Sequence, residues 1–227
     1  MYWQEETNQD NRFVVPDDVV DIAFDIQCRT LPVDHAWALS EAVVNVLPWI
    51  AEEEGAGVHT IHVAESGNGW MRPAHADDLL YLSRRTRLTL RLSKDRIEDA
   101  KRLTGATLSV AGNPMHVGEA SVRPLGAAAT IFARYVVTEE DDEDTFMRNL
   151  LARLKVLGVH PRKMLCGIER AIATPNRTLR TRSLMLAELP LPASVLVQQR
   201  GLGPERRLGC GLFIPHKGIK EIGQPAE

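Results

Sequence analysis

Val20-Asp-Ile-Ala-Phe-Asp-Ile-Gln-Cys28, running on through Arg29-Thr-Leu-Pro-Val-Asp-His35, is the stretch that decides how this chain is read. Val20, Ile22, Phe24, Ile26 and Cys28 alternate with Asp21, Ala23, Asp25, Gln27 and Arg29, the period-two pattern of a strand with one buried face. Pro32 ends that strand, and Asp34 is placed to cap a helix. Leu39, Val43, Val46 and Ile50 then recur on one helical stripe, so residues 34–52 read as an amphipathic helix closed by Gly55 and Gly57. Residues 58–64 read as a second strand and 65–79 as a loop. Leu88, Leu90 and Leu92 alternate with Arg87, Thr89 and Arg91, which predicts a third strand with a basic outer face. Ser93 opens a short helix carrying Ile97, Ala100 and Leu103 that ends at Gly105, and residues 107–111 make a fourth strand. The order β-α-β-β-α-β is the ferredoxin-like unit, with two helices on one face of an antiparallel sheet.

Residues 112–129 are rich in turn formers and read as a connection between two halves. Beyond them come a strand at 130–137 and a helix near 142–157 whose acidic start offsets the helix dipole. Further strands are expected at 167–173, 180–188 and 193–199. The fold class is therefore α+β, a tandem of ferredoxin-like units. Residues 1–17 form a polar tail, 18–118 a first domain, and 119–227 a second, modified one with a glycine-rich loop at 200–218.

The formal net charge of −3 hides an asymmetry. Residues 1–83 hold 15 Asp/Glu against 3 Lys/Arg, whereas residues 148–220 hold 14 Lys/Arg against 3 Asp/Glu. One part of the molecule is acidic and another suits a phosphate backbone, unless the charges interleave on folding. No apolar run approaches the ~20 residues that span a bilayer, and the acidic N-terminus is unlike a signal peptide. Cys28, Cys166 and Cys210 form no C-x-x-C pair, so neither zinc nor a disulfide framework is expected. Together these predict a cytoplasmic protein with no cofactor, no metal and no membrane contact.

Near the C-terminus, Gly201, Gly203, Gly209 and Gly211 surround Arg206 and Arg207 in a run that continues to Lys217. Glycines let backbone approach a ligand closely, and arginines fit phosphate oxygens. A dinucleotide fingerprint fails because Arg206 stands where the third glycine belongs, and no G-x-x-x-x-G-K-[ST] exists. What remains is an extended polyanion, or a solvated hairpin loop with charged tips.

Leu31-Pro-Val-Asp-His35, Ser83-Arg-Arg-Thr-Arg-Leu-Thr-Leu-Arg-Leu92, Gly112-Asn-Pro-Met-His-Val-Gly118 and the closing run 201–217 together carry a resemblance. The chain resembles the CRISPR precursor-RNA processing endoribonucleases of the repeat-associated RNA-binding (RAMP) superfamily, in particular the short myxobacterial-type subfamily. The resemblance implies a prokaryotic enzyme that cuts repeat RNA beside a stem-loop without metal. In that reaction the ribose 2′-hydroxyl attacks the adjacent phosphate, leaving a 2′,3′-cyclic phosphate. It implies His35 as the catalytic histidine, the crRNA stem-loop as partner and, beyond it, subunits of a type I CRISPR effector complex. Two rivals stand beside it: a non-catalytic RAMP subunit that holds crRNA, and an unrelated tandem module for a small anion or a partner protein.

Imidazole titrates near neutrality, so His35 at a helix start can take either proton-transfer role. It also lies four residues before Leu39, where a structural histidine packed over a core edge would look the same. His59 and His62 fall on opposite faces of the expected second strand. His75, His116, His160 and His216 occupy loops, turns or strand ends, and Tyr81 and Lys163 are possible assistants. For RNA binding the candidates are Arg84, Arg85 and Arg87; Arg177, Arg180 and Arg182; and Gly201, Gly203, Arg206, Arg207, Gly209, Gly211 and Lys217. Arginine clusters of this kind suit the phosphates and shallow minor groove of A-form RNA, or guard strand edges in water.

Overall fold

The computed structural model describes residues 13–62 and 78–216. The opening alternation forms β1 (Val19–Gln27), with Ile22, Phe24 and Ile26 buried and Asp25 and Gln27 exposed. A short β2 (Thr30–Pro32) leads into α1 (Ala36–Val46). The helix is shorter than residues 34–52 because Pro48 has no amide hydrogen and crowds the preceding turn. The chain leaves α1 at Leu47 and makes one 3-10 turn, Pro48–Ala51. Asp34 does not cap α1; its Oδ2 accepts the Ala173 amide at 2.8 Å, tying the helix start to the far half of the molecule.

Of the strand expected at 58–64, only β3 (Gly57–Val58) forms, residues 59–62 run irregularly, and 63–64 lie outside the described residues. At the end of the expected loop, β4 (Leu79–Tyr81) begins and pairs with β2 as a separate two-stranded ribbon. Then follow β5 (Arg87–Ser93), a short helix α2 (Ile97–Ala100) between 3-10 turns, and β6 (Thr107–Val110).

The turn-rich segment 112–129 is not the expected connector. Residues Asn113–Pro124 form β7, which pairs with β1 and, through the tight turn at Ala111 and Gly112, with β6. Met115 and Val117 point into the core, and an irregularity in register near Gly118 hides the alternation that follows. The sheet order is β3-β5-β1-β7-β6, so the strand beside β1 that completes the ferredoxin-like unit is β7. That strand crosses the expected boundary at 118/119.

The second half is more regular than expected. It comprises β8 (Ile131–Val137), α3 (Glu143–Val156), β9 (Lys163–Ala173), β10 (Thr178–Ala187), α4 (Leu191–Arg200) and β11 (Ile214–Pro215). Asp142 caps α3 by accepting the Thr145 amide at 2.7 Å. The segment 193–199 is helix and not strand. Prolines at the start of α4 favour helix initiation, and Gly201, at φ +69°, ends it. The order β11-β8-β10-β9 is a complete second ferredoxin-like sheet.

Each sheet buries its own core, and a third cluster of Ala36, Tyr135, Ile172, Leu179, Leu208 and Cys210 joins the start of α1 to the second sheet. Arg91 corrects the expected basic outer face of β5. It is 1% exposed; Nε and Nη2 donate to the two Asp21 oxygens at 2.8 and 2.9 Å, and Nη1 donates to the Gln198 and Phe213 carbonyls. One guanidinium thus clamps the two halves together.

Candidate functional site

The outward faces of the two sheets meet over a cleft of 310 Å³. Antiparallel pairing sets Asp21 opposite Arg123 and Ala23 opposite Thr89, so β1, β5 and β7 present one polar wall. Phe132 and Arg134 of β8 and Ile214 of β11 form the other, with His59, Thr60 and His62 at one side. Among the described lining residues Asp21 is the single carboxylate, and Arg91 takes both its oxygens. Arg87, which pairs with Asp25 at 2.7 Å, and Arg123 and Arg134 line the cleft as well.

Both histidines expected on opposite faces line this one cleft, because residues 59–62 are not a strand. His59 Nε2 sits 3.6 Å from Asp21 Oδ1. Burial lowers its pKa below the usual imidazole value, with the nearby Asp21 carboxylate opposing, so the ring is neutral at neutral pH. The Asp21 carboxyl is held well below its usual range: burial acts to raise it, and the nearby His59 ring with the hydrogen bonds from Arg91 outweighs that. His62 Nε2 lies 2.7 Å from Thr60 Oγ1, and its ring stacks on Tyr135 with centroids 6.2 Å apart.

His35 is not the open helix-start imidazole that its spacing suggests. It is 1% exposed; Nδ1–H donates to the Pro32 carbonyl at 2.8 Å, and Nε2 accepts the Ile61 amide at 3.0 Å. Two backbone partners of opposite sense fix the neutral ring in one tautomer. Its geometry is that of a brace between α1 and the segment bearing His59 and His62.

The glycine-rich loop also differs from expectation. A Cβ on Gly201 would strike the Arg206 guanidinium, and one on Gly211 would strike the Leu202 carbonyl oxygen. The close approach these glycines permit is therefore internal. Arg206 is 7% exposed, and its Nη2 donates to the Gly55 and Gln199 carbonyls. Burial, with Arg91 adding, lowers its pKa to about 10. Arg207 lies over Trp37 and 3.7 Å from Glu41. Arg177 pairs with Glu205, Arg180 with Glu169 and Asp141, and Arg182 with Glu169. Arg87 pairs with Asp25, so of the arginines expected to bind RNA only Arg84 and Arg85 are exposed without an ion pair among the described residues. Lys217 and His75 lie outside the described residues.

The profile of the family described as Cas6 Crispr matches residues 20–218, both halves together. The chain belongs to the Cas6 family. A CRISPR-associated endonuclease Cas6 of Myxococcus xanthus (strain DK1622) is 30% identical over 197 residues, 86% of this chain and 81% of the relative. Among solved structures, a CRISPR associated protein Cas6 superposes with a TM-score of 0.63 at 14% identity, covering 88% of this chain and all of that one. A Cas6-related protein from Pyrococcus furiosus gives 0.59 at 13% identity, covering 89% and 99%. A RAMP protein described as binding different RNA substrates gives 0.58 at 14% identity, covering 87% and 100%. At these identities the superpositions establish the fold, the tandem ferredoxin-like arrangement of Cas6.

Within this Cas6 chain, sequence reasoning missed Arg123, Arg134 and His62 as cleft residues. Arg134 was legible, since Phe132 and Arg134 alternate with Ile131, Ala133 and Tyr135 in β8. Arg123 was not, because the prolines and glycines of residues 112–129 read as turns. Among the described residues no cluster of three or more His, Cys, Asp or Glu could hold a metal ion, and no helix is long and apolar enough to cross a membrane.

Proposed function

We propose that this Cas6-family chain is an endoribonuclease of CRISPR repeat RNA that holds the RNA in the cleft between its two sheets. The observation that carries this reading is the opposition of Arg87 and Arg123 on one wall to Arg134 on the other, with two histidines at their side. Arginines on facing walls reach phosphates on both sides of a strand, and shape-based contact of this kind suits A-form RNA.

The reaction needs no external nucleophile. The 2′-oxygen attacks the neighbouring phosphorus, its proton passes to a base, and the P–O5′ bond breaks. The departing 5′-oxygen takes up a proton, leaving a 2′,3′-cyclic phosphate and a 5′-hydroxyl. The cleft arginines offset charge on the phosphorane, and His62 is assigned to proton transfer. His35 acts through Ile61, setting the position of His62. Retention of the product and its delivery to other subunits of an effector complex complete the reading.

The test is incubation of the purified protein with repeat RNA in EDTA, beside His62→Ala and His35→Ala proteins. A discrete product with a cyclic phosphate end, lost in His62→Ala without loss of binding, is expected. Full cutting by His62→Ala with none by His35→Ala returns proton transfer to His35. Tight binding without cutting by the wild type makes the chain an RNA-holding subunit.

A further inference from the structure

The geometry points to a second nucleic-acid site beside the cleft: a recess at the far end of the first sheet that takes single-stranded ribonucleotides. This rests on the reading of the cleft as the RNA site. The recess has a volume of 860 Å³ and is walled by the end of β1, the β2 ribbon, the turn before β5 and the β6–β7 turn. It adjoins the cleft through one ion pair, since Asp25 lines the recess, Arg87 lines the cleft, and Arg87 Nε is 2.7 Å from Asp25 Oδ1. A strand leaving the cleft over that pair enters the recess.

Its chemistry is that of a nucleotide site. Asp25 is the single carboxylate among the described lining residues, and Arg87 occupies it. Arg29 and Arg84 line the recess, are exposed, and have no ion pair among the described residues, so their charge is available to phosphate. Gln27 adds an exposed amide that can meet a base edge. Tyr81, 66% exposed, stands directly opposite Thr30 in the ribbon that forms one wall, and Thr30 Oγ1 donates to Asn113 Oδ1 at 3.3 Å, tying that wall to the β6–β7 turn. An exposed ring on the ribbon that carries Thr30, together with lining arginines that have no ion pair among the described residues, matches the stacking-plus-backbone mode of single-strand binding, which does not fit a paired helix whose bases are stacked on each other.

Binding is measured for the full repeat RNA and for the same stem-loop stripped of its single-stranded flanks. Arg29→Ala/Arg84→Ala is expected to bind the full RNA about tenfold more weakly, with the salt slope reduced by about 1.4 for two lost single-strand phosphate contacts. Tyr81→Ala is expected to lose about tenfold and Tyr81→Phe to retain affinity, as stacking requires. None of these variants should affect the stripped stem-loop. An equal loss on both RNAs, or no loss on either, overturns the proposal. If the wild type binds no repeat RNA, the cleft reading fails by itself. The recess then stands or falls on ultraviolet crosslinking of a short oligouridylate, which must modify Tyr81 and vanish in Arg29→Ala/Arg84→Ala.

Discussion

His35 Nε2 accepts the amide of Ile61 across 26 residues of chain, while its Nδ1–H holds the carbonyl of Pro32. The ring therefore fixes the entry to α1 and the segment that brings His59 and His62 into the cleft. Removing it leaves one buried and one partly buried backbone group unpaired. His35→Ala should lower stability by about 2–4 kcal/mol, on the usual cost of each orphaned group. Cleavage should fall with it, but the pH profile of the residual activity should keep its shape. Loss of one limb of that profile in a folded His35→Ala protein would mean that the ring itself moves the proton.

The arginines divide by the surface they line. Arg123 and Arg134 face the cleft, whereas Arg180 is engaged by Glu169 and Asp141 and Arg182 by Glu169. Arg123→Ala and Arg134→Ala should each weaken RNA binding and reduce its salt slope by roughly 0.7–0.9, one phosphate's worth. Arg180→Ala should leave the slope unchanged. Titrations at several salt concentrations decide this, and a slope that responds to Arg180 instead would move the RNA track to the face of β10.

Gly211 lies at φ +66° against the Leu202 carbonyl, where no side chain fits without moving backbone. Gly203, at φ +84°, has nothing closer than Arg153 Nη1 at 3.5 Å. Gly211→Ala should therefore destabilise the fold strongly, and Gly203→Ala only by the ~1–2 kcal/mol of the left-handed conformation. Thermal unfolding compares them. If the folded Gly211→Ala protein loses RNA affinity more than stability, the loop touches RNA after all.

Much of the fold was legible in the sequence where one face of an element is apolar. The alternation of β1, β5 and β8 and the stripe of α1 are of this kind, because burial writes a period into the residues. Legibility failed where a second partner covers the other face or interrupts the period. Arg91 reads as a solvent residue in β5, yet the second half of the molecule packs over it. β7 carries an irregularity beside Gly118, which disguised a twelve-residue strand as turns. Val195, Leu196 and Val197 favour strand, and the prolines at the start of α4 outweigh them. At the site, the types of residue were readable but their availability was not. Nothing in the spacing of Arg206 says that Gly55 and Gln199 hold it, and nothing in the spacing of His35 names Ile61.

Asp21 is shared by Arg91, which is wholly buried, and His59, whose side chain is 18% exposed. Asp21→Asn leaves a buried guanidinium without its counter-charge, which should cost about 3–5 kcal/mol. The same trio sets the response to acid. His59 titrates below its ordinary 6.5 in the folded protein, so the unfolded chain binds the proton first. Its contribution is complete above pH 6.5 and declines as the pH falls below that value. Asp21 titrates below its ordinary 3.8, so its contribution persists to lower pH and is lost only as the pH falls through 3.8 and beyond. Melting temperature should accordingly drop between pH 7 and pH 5, and His59→Gln should flatten that drop while leaving the steeper loss below pH 4. An unchanged drop in His59→Gln would assign the mid-range sensitivity to other groups.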